Sequence, residues 1–326
     1  MRRNIFKIPV QKLNNSSFAS SEKIINEEYK RLQITEALIG ETMSSLPENG
    51  EWQNKLLKYL YNKLNGKLEQ GNIKGELHLG NVGGDGYSDD APSIDFIDYY
   101  LIDIKFRFVG EPLFKASCKG ENIAGLGLIA SFSLNFVCMP NTLLSQLYNF
   151  VYHEFLHCWQ IYKLSINSKK YTTLTPYNIP SRQVPIQLKP YVDNINEILY
   201  FTNILERGAF TSQAIGELKY NYQHNERFAE LPTQEQMESL FVTKQYSKHI
   251  QELNFLKGAE HTNIEEGLLG IINSELATQI GRTWKTYNSF VDVLSRRLKR
   301  AYKAYRQKVS KWLQYKRLNE CITWFD

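Results

Sequence analysis

The chain has 326 residues, 42% of them hydrophobic and 22% charged, the balance of a globular protein with room for about two domains. No run of about 18 apolar residues is present, which excludes a transmembrane helix. Lys7 and Pro9 interrupt the basic start where a signal peptide would need its apolar stretch. Four scattered cysteines (Cys118, Cys138, Cys158 and Cys321) with no Cys-x-x-Cys exclude a disulfide scaffold. They fit a chain made in a reducing cytoplasm, resident there or exported by a machine that needs no signal peptide. The net charge of +5 is uneven. Between Arg282 and Arg317 twelve Lys or Arg face the single Asp292, a local +11 that leaves about −6 for the rest, so the basic character is confined to the C-terminal tail and nothing suggests a polyanion-binding body.

In chain order, residues 1–20 read as an irregular leader, and a helical period runs from Ser21 to Met43 until Pro47-Glu48-Asn49-Gly50 breaks it. A second helix is predicted over Glu51–Leu64, stopped by Asn65-Gly66. The period then shifts to 2. Tyr100, Ile102, Ile104, Phe106 and Phe108 alternate with Asp103, Lys105 and Arg107, and Phe132, Leu134, Phe136 and Cys138 alternate with Ser131, Ser133 and Asn135. Both read as half-buried strands. A long helix follows over about Leu143–Leu164, then a proline-spaced loop (Pro176, Pro180, Pro185, Pro190), a helix over Tyr191–Lys219, and an almost wholly helical remainder from Pro232.

The long helix contains His153-Glu154-Phe155-Leu156-His157. At 3.6 residues per turn the two histidines stand one above the other, so both imidazoles can meet one Zn2+ at about 2.0–2.1 Å. Glu154 points slightly aside, where it can act on a water at the metal as general base rather than ligate. Leu143, Leu147, Phe150, Val151 and Ile161 form an apolar stripe that turns the histidine face inward, and buried imidazoles beside a carboxylate are costly without a partner. A third protein ligand is required for a catalytic zinc. Gln160 and Lys163 stand where a glycine and a third histidine would continue the longer His-Glu-x-x-His-x-x-Gly-x-x-His motif, and Ile161 stands where a histidine four residues on would fall. A glutamate from a later helix is therefore expected. Glu197 and Glu206 are nine residues apart, about 180° around a helix, so only one can face the metal. Glu206 shares its face with Ile195, Ile198, Leu199, Thr202, Ala209 and Gln213, and Ala209 allows close approach, which favours Glu206. Glu197 stays open, since Ile204 and Ile215 share its side.

His153-Glu154-Phe155-Leu156-His157 followed by Glu206-Arg207-Gly208-Ala209 resembles the gluzincin branch of the zincin metallopeptidases. The Glu-x-x-Ala spacing is similar to the ligand helix of the lethal-factor-like group. The extended form ending at Gln160 resembles peptidase-like domains found with phages and bacterial contractile injection particles. The resemblance spans about residues 96–220. It implies an α+β fold: a zincin-like core with a small, mostly antiparallel sheet over the His-Glu-x-x-His helix, flanked by N-terminal helices and a helical C-terminal region. The corresponding boundaries are 1–72, 73–225 and 226–326. It further implies that an edge strand, expected at Ser131–Cys138, holds an extended peptide by backbone pairing above the motif helix. Zn2+ would be the cofactor, held by His153, His157 and Glu206, with a protein or peptide as substrate. An oxyanion donor comes in related zincins from a tyrosine before the ligand glutamate or a histidine after it, which points to Tyr200 or His224.

Gly83–Asp90 lacks the spacing of a calcium loop and reads as a solvated turn. Cys158 points about 100° away from His157, as a small buried residue, and His78, His249 and His261 have no partner at metal spacing. Trp284, Tyr287, Phe290, Val291, Leu298, Tyr302, Tyr305 and Trp312 interleave with the C-terminal cations. Such a helix can dock its aromatics on the acidic body, or bind an acidic surface or a nucleic acid. Three functional readings follow: a peptidase, which the lack of a signal peptide also fits as a delivered bacterial effector; a peptidase recruited to nucleic acid by its basic tail; and a particle component with a structural zinc.

Overall fold

The computed structural model describes residues 51–80, 91–97, 99–108, 113–123, 127–167, 177–259, 263–280 and 282–322. The leader, the helix expected over 21–43, the Gly83–Asp90 turn and His261 lie outside them. Along the chain come α1 (Glu51–Glu69), β1 (Lys74–Gly80), β2 (Tyr99–Arg107), β3 (Leu113–Ile123), β4 (Gly127–Val137), α2 (Leu143–Asn167), α3 (Lys189–Phe201), α4 (Ile204–His224), α5 (Glu226–Glu230), α6 (Thr233–Ser239), α7 (Phe241–Lys257), α8 (Asn263–Ile280) and α9 (Tyr287–Ile322). The fold class is α+β. Among the described residues no helix is long and apolar enough to cross a membrane.

These elements fall into two compact units that interleave in sequence. The first holds α1, the four strands, α2 and residues 208–236; the second holds α3 and residues 237–322. The boundaries expected at 72 and 225 differ from this division for a physical reason. Trp52, Leu56, Leu60 and Leu64 recur every fourth residue on α1, and all four are buried in the same core as the strands and α2. The helix also continues past Asn65-Gly66. It ends where Gly71 takes a left-handed φ of +79°, and the Asn72 and Gly71 N–H groups bond the Lys67 and Leu68 carbonyls.

In the first unit the sheet order is β1-β2-β4-β3. β1 is antiparallel to β2 and β3 to β4, while β2 and β4 are parallel in the register Ile102↔Phe132, Ile104↔Leu134 and Phe106↔Phe136. The alternation read in the sequence sends these six side chains into the core. It does not make Ser131–Cys138 an edge. β4 is paired on both sides, and the edges are β1 and β3. The motif helix α2 packs along β3.

The helix expected over Tyr191–Lys219 is two helices. The Thr202 hydroxyl bonds back to the Ile198 carbonyl at 2.7 Å, and the Asn203 side-chain oxygen accepts the Leu205 N–H at 2.9 Å. Asn203 thereby caps a new start for α4. In the second unit α9 buries Tyr287, Phe290, Leu294, Leu298, Ala301, Tyr305, Val309 and Leu313 against α3, α7 and α8. The aromatic face of the basic tail is thus core of its own unit, and its cations face outward.

Candidate metal centre

The two middle residues of the motif orient it. Phe155 and Leu156 are fully buried, and the Phe155 ring stacks on Phe132 of β4 at 4.0 Å and leans on Trp52 of α1 at 5.6 Å. These contacts pin one side of α2 to the sheet. His153 and His157, on another side, face α4 with ring centroids 5.2 Å apart.

The division between units falls within the first turn of α4, and this continuous helix carries Glu206 while its body packs in the first unit. α4 runs antiparallel to α2. Gln213 meets His153, Gly216 and Lys219 meet Tyr152, and Tyr220 and Gln223 meet Tyr148. At the other end of this pairing His153, His157 and Glu206 each bring one ligand atom within 4.8 Å of the other two. Tetrahedral zinc with bonds near 2.1 Å needs ligand atoms about 3.4 Å apart, so small side-chain rotations close the set. Glu206 and His153 are buried at 8% exposure each. Two imidazoles and a carboxylate in a buried pocket fit a metal ion, and could hold one.

The ring nitrogens are already sorted. Nδ1 of His153 lies 3.1 Å from the amide oxygen of Gln213, and Nδ1 of His157 lies 3.0 Å from that of Gln160. A carbonyl oxygen accepts only, so each Nδ1 is the donor in its bond to glutamine, which leaves Nε2 as the nitrogen a metal would take. Gln160 and Gln213 are themselves buried, at 2% and 7% exposure, which holds the donors' partners in place. The Phe210 ring meets His153 edge-on at 4.9 Å and limits its rotation. Glu154 is buried, with Oε1 3.9 Å from Nε2 of His153. That puts the carboxylate on the Nε2 side of the ring, beside the cluster of His153, His157 and Glu206.

Glu197 is elsewhere. It sits in the second unit with His249 and Glu252, whose ligand atoms also lie within 4.8 Å of one another, so His249 does have metal-spaced neighbours: Glu252 three residues on, and Glu197, which the fold brings in. Here a cation is built in. Lys248 Nζ is 2.5 Å from Glu197 and 3.3 Å from Glu252, and His249 Nδ1 is 2.5 Å from the other Glu252 oxygen. Burial pushes the Glu252 carboxyl up, but the His249 hydrogen bond and the charges of His249 and Lys248 outweigh it and hold it below its ordinary value. Its bond to Glu197 raises Lys248. This is a satisfied ion-pair network.

The two oxyanion candidates fare differently from the ligands. Tyr200 is on α3, across the Thr202–Asn203 break from Glu206, and is 43% exposed. The assumption that it shares a helix with Glu206 fails. His224 is eighteen residues beyond Glu206 on α4, about 27 Å along the axis at 1.5 Å per residue. Its ring stacks on Tyr220 at 4.6 Å and its Nδ1 bonds the Tyr220 carbonyl, at the far end of the α2–α4 pair. It cannot serve the same site. Cys158 is fully buried, as expected, and outside any disulfide, and His78 pairs with Asp103 on the exposed sheet surface at 2.7 Å. Gln213 is the functional residue that ligand-spacing logic missed. Its signal was present, since it stands seven residues beyond Glu206 and so on the same face. No protein-family model, curated protein or solved structure matches the chain.

Proposed function

We propose that the protein is a zinc-dependent metallopeptidase of the zincin type. The observation that carries this reading is the convergence of His153, His157 and Glu206 with both Nδ1 atoms held by buried glutamines and Glu154 alongside. Bound zinc supplies positive charge that polarises a carbonyl and makes water a nucleophile near neutral pH. His153, His157 and Glu206 hold it, and the two glutamines fix the ring orientation. Glu154 takes the proton of the attacking water on a carboxylate oxygen and passes it to the leaving amine nitrogen. β3, an edge strand among the described residues and packed along α2, would pair its backbone with an extended peptide, in place of β4, which has a strand on each side.

The test is Glu154→Gln, assayed for zinc content and for cleavage of a mixed peptide library by mass spectrometry. The variant should keep its zinc and lose about 10²–10⁴ of its turnover. Loss of zinc would make Glu154 a ligand, and unchanged cleavage would remove it from the chemistry.

A further inference from the structure

We propose that the groove between α7 and α9 in the second unit binds the phosphate backbone of a nucleic acid. This proposal is independent of the metallopeptidase reading. The groove encloses about 560 Å³. Its base is the pair Tyr246 and Tyr302, stacked face to face at 3.7 Å and 5°. Along α9 it is walled by Lys299, Lys303, Arg306 and Lys311, all exposed, and none of its lining residues is acidic. The four cations span thirteen residues of one helix, about 18 Å. Gln307 and Gln314 add neutral hydrogen-bond donors beside them. A row of like charges held on a rigid rod would repel itself, and a polymer that carries one negative charge per repeat is the partner that relieves this along the whole row.

Two further observations narrow the partner. An interfacial membrane helix needs an exposed apolar face, and the apolar face of α9 is buried in its own unit. Sequence-tolerant binding through stacked bases needs open aromatic faces. Here Tyr246 and Tyr302 cover one another, and Arg306 lies over the Tyr302 ring at 5.8 Å. Within the groove, recognition therefore runs through phosphates and carries no base preference.

The experiment is fluorescence anisotropy of the full chain with labelled single-stranded and duplex DNA between about 50 and 200 mM salt. Four neutralised phosphates give a slope of log K against log salt of about −2.8 for a single strand and about −3.6 for a duplex. Lys299→Gln with Lys303→Gln should reduce the slope by about 1.4 to 1.8 and weaken binding about equally for all sequences. Both lysines are exposed, and an unchanged far-UV spectrum and melting curve would establish that the variant is folded. Absence of salt-dependent binding, a slope unmoved in the double variant, or tighter binding to phosphatidylserine vesicles or to polyglutamate than to DNA would each overturn the proposal.

Discussion

Gly216→Ala isolates the packing that brings the glutamate helix to the histidine helix. A Cβ at position 216 would lie 2.8 Å from both Cγ and Cδ2 of Tyr152 and 3.1 Å from its Cβ. Carbon atoms pack best at about 3.5–4.0 Å, so the overlap is about 0.7 Å against the root of the ring. The ring has little freedom to yield. Tyr152 is 5% exposed, lies parallel to Tyr148, and accepts a hydrogen bond from Lys219 Nζ at 3.2 Å. Overpacking of this kind costs about 1–3 kcal/mol. Against it stands the gain of about 1 kcal/mol for replacing a mid-helix glycine by alanine. The variant should therefore be less stable than the parent by up to about 2 kcal/mol. Gly66→Ala is the internal control: Gly66 is in α1 of the same unit, and a Cβ there meets nothing within 4 Å. It should be more stable by about 1 kcal/mol. The assay is urea unfolding of metal-free protein, followed by zinc titration of the folded variants. Gly216→Ala should also bind zinc more weakly, by a factor of ten for each 1.4 kcal/mol of strain relieved by moving α4. A Gly216→Ala protein as stable as Gly66→Ala, with parental zinc affinity, would refute the close approach of the two helices.

The glutamine clamp is tested by Gln213→Met, which keeps the volume and removes the acceptor. Zinc affinity, read by competition with a chelator, should fall about 10–100-fold, and Gln213→Glu should retain it; equal affinity in all three would show that Nδ1 needs no partner. The network in the second unit gives a pH dependence. Glu252 is held below its ordinary value of 4.5, so its stabilising effect is present above that value and is lost as pH falls through the lowered native value. Urea midpoints of the parent and Glu252→Gln should differ near pH 6 and converge in strong acid. A difference that persists or grows in acid would contradict this assignment.

The centre was legible because its parts are local. His153, Glu154 and His157 lie within five residues, and the apolar stripe of α2 fixes which face turns inward. Glu206 could be chosen over Glu197 on helix geometry, although the single helix assumed for that argument does not exist. The break at Thr202–Asn203 depends on side chains bonding backbone, which a hydrophobic period does not register. The same assumption misplaced Tyr200. β4 was found and its place was not, because alternation tells which face a strand buries and says nothing of its neighbours. β3 went unread; among the described residues it is an edge strand that pairs with β4. Gln213 meets His153 across sixty residues, and Glu197 joins the His249–Glu252 pair across more than fifty, where only the fold brings them together.

The measurement that bears most directly on the account is zinc per chain in the parent, in Glu206→Ala and in Glu197→Ala, each purified without added metal. About one zinc in the parent, a large loss in Glu206→Ala and full retention in Glu197→Ala is the predicted result. No zinc in the parent, or loss confined to Glu197→Ala, would contradict the assignment of His153, His157 and Glu206 as the metal centre.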